Sequence, residues 1–290
     1  MKNISKIRLG VARKYAKDLP EFILELHKND IESYEIGFAF GVPGNIPEEV
    51  IISSKKYGVN LSCHLPFWIN FGNRNNEKNL KYLIAGLKIA EQLGSVAVFH
   101  LGFYNKKKWD DIKNYAKDII KKALSISNTE KGKIGIETTG KQKAIGTIDE
   151  IIELIKIIDD ERVIPIIDWS HIFARNNGIY PYTYQDFVEL LSKVEREIGY
   201  KPFYFHGGGI EYKDGNEVKH TSAKAHKPPL PYLFAALRDL NYNNFTFIIE
   251  SPDSIEDVKW LKRVLRSPEE FFNEIPPPPK KTTLLEFIGR

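Results

Sequence analysis

Short apolar segments that each end in a histidine or a carboxylate recur along this chain, and helix-like stretches separate them. The segments are rich in β-branched and aromatic residues, which is the pattern of parallel strands buried on both faces. In a barrel of parallel strands, all the carboxyl ends meet on one face, so these polar side chains would converge on one pocket. The polar residues at the segment ends are His64, His100, Glu137, Asp168, His206 and Glu250, and a seventh strand-like segment is Tyr34-Glu35-Ile36.

The stretches between these segments have apolar residues at helical spacing, as residues 79–93 illustrate. Thr147 precedes another such stretch, and Glu150 follows it at the spacing of a capping box. With an early strand near the N-terminus, the pattern gives about eight βα units, and a barrel of that kind needs roughly 250 residues. The sequence therefore predicts a TIM (β/α)8 barrel over residues 1–270, with a metal site at the C-terminal face of the strands. Residues 271–290 are predicted to form a separate proline-rich linker and tail.

The composition excludes several classes of protein. The hydrophobic fraction of 42% supports a large core, and no apolar run approaches the length of a membrane helix. The first residues lack the apolar region of a signal peptide, and a single cysteine rules out an intramolecular disulfide framework. That cysteine, Cys63, precedes His64, and strand alternation predicts that it is a packed core thiol on the opposite side. We therefore expect a cytoplasmic enzyme, whose net charge of +4 is compatible with a nucleic-acid partner.

Histidine is scarce in this chain, and most of its histidines lie at or near predicted strand ends. Only seven occur in 290 residues. His171 follows Asp168 by three residues, and His220 lies beyond His206 across a glycine-rich loop that would have to fold it back. Alone, each such residue is more often a hydrogen-bonded packing histidine, a capping aspartate or an ion-pair partner. Together they favour a metal site, because zinc takes imidazole nitrogens and carboxylate oxygens.

The ordered segments resemble those of the endonuclease IV family of apurinic/apyrimidinic endonucleases. Residues 64–70, His-Leu-Pro-Phe-Trp-Ile-Asn, are similar to that family's His-x-Pro-Tyr-x-x-Asn. Residues 167–174, Ile-Asp-Trp-Ser-His-Ile-Phe-Ala, are similar to its Asp-Thr-x-His-x-Phe-Ala. The strand ends at 99–102, 136–140 and 249–252 resemble its His-Pro-Gly, Glu-Thr/Asn-Thr-Ala-Gly and Glu-Thr-Pro. The resemblance covers most of the predicted barrel. The fold and the function that it implies are expectations.

The resemblance implies a cluster of two or three zinc ions per chain. By match, eight of the family's nine ligands are His64, His100, Glu137, Asp168, His171, His206, His220 and Glu250. The ninth is the aspartate of an Asp-x-His motif, and Val218 stands in its place. Either Glu217, Glu211 or Asp214 substitutes through a different loop path, or one zinc is held weakly or not at all.

The implied reaction is hydrolysis of the DNA phosphodiester 5′ to an abasic site by a zinc-activated hydroxide. Glu137 and Glu250 are the implied catalytic residues, because a bridging carboxylate can hold two metal ions. The implied partner is double-stranded DNA with abasic sites, which would make the protein nucleoid-associated, and we expect a monomer. Candidate DNA contacts on the loops of the active face are Phe67, Trp68, Phe103, Tyr104, Lys106 and Lys107, whose other interpretation is loop packing or a solvated helix end.

Two other functions fit part of the pattern. Sugar isomerases and epimerases on the same barrel resemble this chain at Glu137, Asp168, His206 and Glu250, where one divalent ion assists proton abstraction next to a carbonyl. Such an enzyme does not need His64, His100 and His220, whereas a three-zinc cluster does. A barrel that binds damaged DNA without cutting it is the third alternative.

The tail carries a separate pattern. Four prolines at residues 276–279 form a stiff spacer, and apolar residues follow it at the spacing of one helical turn. The tail resembles the PIP box, Gln-x-x-Leu-x-x-Phe-Phe, which binds sliding clamps of the proliferating-cell nuclear antigen type. The matching positions are Lys281, Leu284, Phe287 and Ile288, with lysine in place of glutamine and isoleucine in place of the second aromatic residue. The alternative is a tail that folds back on the barrel.

Overall fold

Eight parallel strands close into a barrel, with neighbours in the order β1-β10-β7-β6-β5-β4-β3-β2. The structure is a computed structural model that describes residues 6–14 and 18–279. The barrel strands are β1 (Lys6–Lys14), β2 (Ser33–Gly37), β3 (Asn60–His64), β4 (Val96–Phe99), β5 (Lys133–Glu137), β6 (Val163–Asp168), β7 (Tyr204–Gly207) and β10 (Asn244–Ile249). The predicted TIM barrel is therefore confirmed.

Helices connect successive strands and cover the outside of the barrel. They are α1 (Leu19–Lys28), α2 (Glu48–Tyr57), α3 (Asn76–Leu93), α4 (Trp109–Ser127), α5 (Ile148–Ile158), α6 (Trp169–Arg175), α7 (Tyr184–Ile198), α8 (Leu230–Asp239) and α9 (Ser254–Arg266). The predicted capping box is present: Thr147 accepts from the backbone N–H of Glu150, whose side chain in turn accepts from the backbone of Thr147. Within the described ranges, no helix is long and apolar enough to cross a membrane.

Alternation along the strands divides their side chains between two cores. One set packs with the helices in the main core, and Cys63, which is fully buried, belongs to it as predicted. The other set forms a smaller buried cluster, which includes Val98, Ile166 and Ile248. Because the two sets alternate, the smaller cluster faces the barrel interior. His100, Asp168 and Glu250 each follow one of these three residues by two positions, so the same alternation directs them inward at the top of the barrel.

A hairpin interrupts the regular βα alternation after β7. It consists of β8 (Gly209–Lys213) and β9 (Asn216–Thr221), which pair antiparallel. The hairpin follows the carboxyl end of β7, so it stands on the face of the barrel where the strand ends meet. It returns the chain to that face, as the sequence required for His220.

The barrel domain extends beyond the predicted boundary at residue 270. Residues Pro268–Glu274 form a 3₁₀ helix in which Phe271 is buried against Trp260, with ring centroids 5.8 Å apart. The Tyr182 hydroxyl donates to the carbonyl of Pro276 at 3.0 Å, so the start of the proline run also rests on the barrel. The sequence gives no local signal that the barrel domain extends past residue 270. The clearest change in the sequence near this point is the run of four prolines at residues 276–279. The clamp-binding positions Lys281, Leu284, Phe287 and Ile288 lie outside the described residues.

Candidate metal centre

Glu137, the last residue of β5, is the centre of a buried cluster of histidines. Its side chain is fully buried, and its two oxygens face different partners. Oε2 lies 2.9 Å from Nε2 of His64 and 3.3 Å from Nε2 of His100. Oε1 lies 3.1 Å from Nδ1 of His206 and 3.4 Å from Nδ1 of His171. One carboxylate thus joins four histidines that come from four different strand ends.

Glu250, directly after β10, makes a second junction of the same kind. Its Oε1 lies 3.4 Å from Nδ1 of His206, and its Oε2 lies 3.4 Å from Nε2 of His220. Asp168 begins α6 as its N-cap: Oδ1 accepts from the backbone N–H of His171 at 2.8 Å. The other oxygen, Oδ2, is buried and has no hydrogen-bond partner among the described residues.

The structure brings all eight predicted ligands together. Their donor atoms form three overlapping groups, each with its atoms within 4.8 Å of one another: His64, His100 and Glu137; Glu137, Asp168, His206 and Glu250; and Asp168, His171 and His220. Glu137 belongs to the first two groups, and Asp168 belongs to the last two.

The donor set fits metal ions. With bond lengths of about 2.0–2.2 Å, two ligands of one tetrahedral zinc lie about 3.3–3.6 Å apart. Glu137 and His100 are separated by 3.3 Å, and Glu250 and His206 by 3.4 Å. A buried carboxylate oxygen without a hydrogen bond is costly unless a cation reaches it, and Oδ2 of Asp168 has only a 3.5 Å contact with Nδ1 of His171. The cluster could therefore hold metal ions through nitrogen and oxygen donors.

Burial and the neighbouring carboxylates shift the pKa values of the histidines in this cluster in different directions. Burial opposes charge on His206, but the carboxylates of Glu35 and Glu137 outweigh it and raise the pKa of His206 well above its usual range. Burial likewise opposes charge on His64, yet its hydrogen bond to Glu137 raises the pKa of His64 to about 9. For His100 burial prevails and lowers the pKa to about 3, which leaves its imidazole neutral. Metal ions that bind to these histidines would displace the protons of their imidazole nitrogens.

Glu35, on β2, is a buried member of the site to which the sequence assigned no role. Its Oε2 lies 3.1 Å from Nε2 of His206 and accepts from the Tyr204 hydroxyl at 2.8 Å. That hydroxyl also lies 2.6 Å from Oγ of Ser62. The carboxylate thus orients His206 so that Nδ1 faces Glu137 and Glu250, as carboxylates behind metal-bound histidines do. The only signal in the sequence was a charged residue inside an apolar strand-like segment.

A pocket of about 270 Å³ opens above the ligands. Phe67 and Phe103 line it, and both rings are exposed. Trp68, whose ring centroid lies 4.2 Å from that of Phe67, is 40% exposed. Phe40, on the loop after β2, is 93% exposed. The sequence analysis did not single out Phe40. A larger cleft of about 530 Å³ lies at the opposite end of the barrel, far from the ligands, and has no part in this chemistry.

The other predicted DNA contacts are placed differently. Tyr104 packs against the main core, and its hydroxyl donates to Glu150 at 2.5 Å. Lys107 is half-buried and donates to the carbonyl of Gly72 at 2.6 Å, whereas Lys106 is exposed. Both engaged side chains therefore stabilise the loops that surround the pocket.

Comparisons with known proteins agree with this architecture. An uncharacterized protein of Methanocaldococcus jannaschii is 31% identical over 237 residues, which cover 78% of this chain and 84% of that protein. Endonuclease IV from Thermus thermophilus has a similar fold, with a TM-score of 0.68 and 19% identity over 91% of this chain and 99% of that one. The 3-keto-D-glucoside 4-epimerase of E. coli is also similar, with a TM-score of 0.63 and 15% identity over 89% of this chain and 100% of that one. The family model described as a xylose isomerase-like TIM barrel matches residues 20–267, and the chain belongs to that family.

Proposed function

We propose that this protein is a zinc-dependent endonuclease that hydrolyses the DNA phosphodiester 5′ to abasic sites. The observation that carries the proposal is the number of donors. The central group of ligands, which contains Glu137, Asp168, His206 and Glu250, shares Glu137 with one flanking group and Asp168 with the other. An isomerase that binds one ion needs only the central group. The fold shared with the Thermus endonuclease IV is consistent with this proposal.

The side chains of the cluster have distinct tasks in the proposed reaction. When bound, zinc would acidify a water molecule and offset the charge that develops on the phosphoryl oxygens. Glu137 directs its two oxygens at histidines of different groups, and Glu250 contacts His206 of its own group. Both carboxylates would hold metal ions there and supply the negative charge that balances them. Glu35 orients His206 from behind through its 3.1 Å contact with Nε2.

The surface around the pocket suits a distorted nucleic acid. Phe67 and Phe103 present exposed rings beside the ligands, and such rings can stack against bases or wedge between them. Trp68 and the exposed Lys106 extend this surface toward a phosphate backbone. A nucleotide without a base costs less to turn out of the duplex, because no pairing is lost. We propose that Phe67, Trp68, Phe103 and Lys106 contact the DNA directly and that Tyr104 and Lys107 support their loops.

A sugar epimerase is the second candidate, favoured by one specific observation. Glu137, Asp168, His206 and Glu250 form a complete group by themselves, which would hold a single divalent ion. In that case His64, His100 and His220 would have no catalytic task.

A direct comparison of the two activities tests the proposal. The full chain, loaded with zinc, is assayed on a duplex with one synthetic abasic site, on the undamaged duplex and on free ketoses. We expect nicking of the damaged duplex alone, with binding that weakens as salt rises because phosphate contacts release counterions. Epimerisation of a ketose by a protein that leaves the abasic duplex uncut would reverse the assignment.

A further inference from the structure

The outer ligand group has no carboxylate of its own, and Val218 stands where the motif of the resembled family has aspartate. Asp168, His171 and His220 form this group, and Asp168 also belongs to the central group. A zinc ion that keeps one position open for water takes three protein ligands, and the outer group has only His171 and His220 that it does not share. We infer that Glu217 completes this outer metal site and that a β-bulge at Val218 turns it inward to do so.

The register of the hairpin shows how the bulge acts. His220 pairs with Ile210 and Lys219 pairs with Glu211, but Glu217 rather than Val218 pairs with Tyr212. Val218 is the extra residue, and its side chain is 60% exposed.

Side chains alternate between the faces of a strand, and one extra residue reverses that alternation beyond it. Glu217 therefore lies on the same face of the hairpin as His220. In a regular ladder, Val218 would take that inward position, and Glu217 would point outward beside Lys219.

The contacts of Glu217 place its carboxylate at the outer group. Oε2 lies 3.5 Å from Nε2 of His171, a separation suited to two ligands of one zinc ion. Nδ1 of His171 lies 2.9 Å from the carbonyl of Thr138, so a proton on Nδ1 is satisfied there. Nε2, the ring nitrogen beside Glu217, would then be the one that binds a cation, with the Glu217 carboxylate as a further ligand.

The loop after β5 is shaped to admit Glu217. The backbone N–H of Glu217 donates to the carbonyl of Gly140 at 2.8 Å. A Cβ on Gly140 would lie 2.8 Å from Cβ of Glu217 and 2.9 Å from Cδ2 of His171, so only glycine permits this approach. The backbone N–H of Gln142 donates to Oδ1 of Asn216 at 3.0 Å and holds the hairpin tip against the same loop.

Zinc content tests the inference, which rests on the metal cluster of the proposed function. Wild type, Glu217→Gln and Glu211→Gln are purified, saturated with zinc and dialysed, and bound zinc per chain is measured. Glu211 is the matched control, because it is a carboxylate of the same hairpin that faces outward and pairs with Lys219 at 3.3 Å. Glutamine keeps the size of the side chain and removes its charge.

We expect about three zinc ions per chain in wild type and in Glu211→Gln, and about two in Glu217→Gln. In a titration with a chromogenic chelator, the weakest zinc of Glu217→Gln should be released at a chelator concentration at least about 10-fold lower. Equal zinc content and release in Glu217→Gln and wild type would overturn the inference, as would an equal loss in both variants. If the zinc contents are as expected but the wild-type protein does not nick abasic DNA, the proposed function is wrong and the inference about Glu217 still holds.

Discussion

At the scale of single residues, the site depends on carboxylates whose two oxygens are used separately. Glu137 is fully buried and touches four histidines. Burial opposes its charge, but the nearby histidines prevail and hold the pKa of Glu137 well below the usual range. Its charge is therefore permanent at neutral pH. Glu35 acts on the site through His206, because it contacts the ring nitrogen of His206 that faces away from Glu137.

Removal of a central ligand should abolish metal binding and activity together. Glu137→Gln takes away a charge that serves two ligand groups, and His100→Ala removes a donor that is neutral and ready to bind. We expect nicking of abasic DNA to fall by at least about 100-fold in each, with loss of zinc and an unchanged circular dichroism spectrum. His27→Ala on α1 is the control and should keep both zinc and activity. Full activity in either ligand variant contradicts the assignment.

At the scale of elements, loops at the lower face of the barrel fix the strands in place. Arg162, which precedes β6, donates to both carboxylate oxygens of Asp160, at 2.9 Å through Nε and at 2.7 Å through Nη2. It also donates to the carbonyl of Thr129 at 2.9 Å, which ties the α5–β6 loop to the α4–β5 loop. These bonds to Arg162 lower the pKa of Asp160.

Arg162→Ala should destabilise the protein in a pH-dependent way. The pKa of Asp160 is lower in the folded state, so its contribution is present above the ordinary value of 3.8 and is lost as pH falls through the folded value. We expect the free energy of unfolding in urea to fall by about 1–2 kcal/mol at pH 7. This difference from wild type should shrink below pH of about 3.8.

An exposed ion pair supplies the control for that comparison. Lys156 and Glu197 lie 3.0 Å apart on the surface, and Lys156→Ala should leave the free energy of unfolding close to that of wild type. A constant difference between wild type and Arg162→Ala from pH 7 to pH 2.5 would show that Asp160 is not the linked group.

At the scale of the whole molecule, we expect the barrel and the tail to have separable tasks. Every ligand precedes residue 251, and the chain packs on the barrel through the start of the proline run, where Tyr182 bonds to the carbonyls of Pro276 and Pro277. The residues that follow residue 279 carry the clamp-binding pattern. We expect a peptide beyond residue 279 to bind a partner without blocking the candidate metal centre, because the candidate ligands lie in the barrel.

Truncation after Pro279 should abolish binding to a sliding clamp and spare nicking. Leu284, Phe287 and Ile288 would each contribute about 1.5–3 kcal/mol by burial, less the cost of ordering the tail. Micromolar affinity, about −8 kcal/mol, is the expected result for the full chain in calorimetry with a purified clamp. Phe287→Ala in the full chain should weaken binding in the same way. A truncated protein that loses nicking or thermal stability would show that the tail is part of the barrel.

The amino-acid sequence by itself determined the barrel and most of the candidate metal ligands. His64, Glu137 and Asp168 are the last residues of strands in the structure, and in the sequence they are the last residues of apolar segments. Parallel strands of a barrel bring their carboxyl ends to one face, whatever the spacing of the strands along the chain. The two-residue period of a strand also decided that these side chains point inward. Patterns of this kind are local, and the sequence displays them directly.

Only the tertiary structure decided which side chains complete the site. Glu35 looks like an isolated charge until barrel closure brings His206 within 3.1 Å of it. Glu217 faces the cluster because the hairpin has one extra residue in β9. Tyr104 points away from the pocket because its hydroxyl donates a hydrogen bond to Glu150. These outcomes depend on loop path and on partners distant along the chain. Spacing alone does not encode them, because a shift of one residue reverses the direction of a strand side chain.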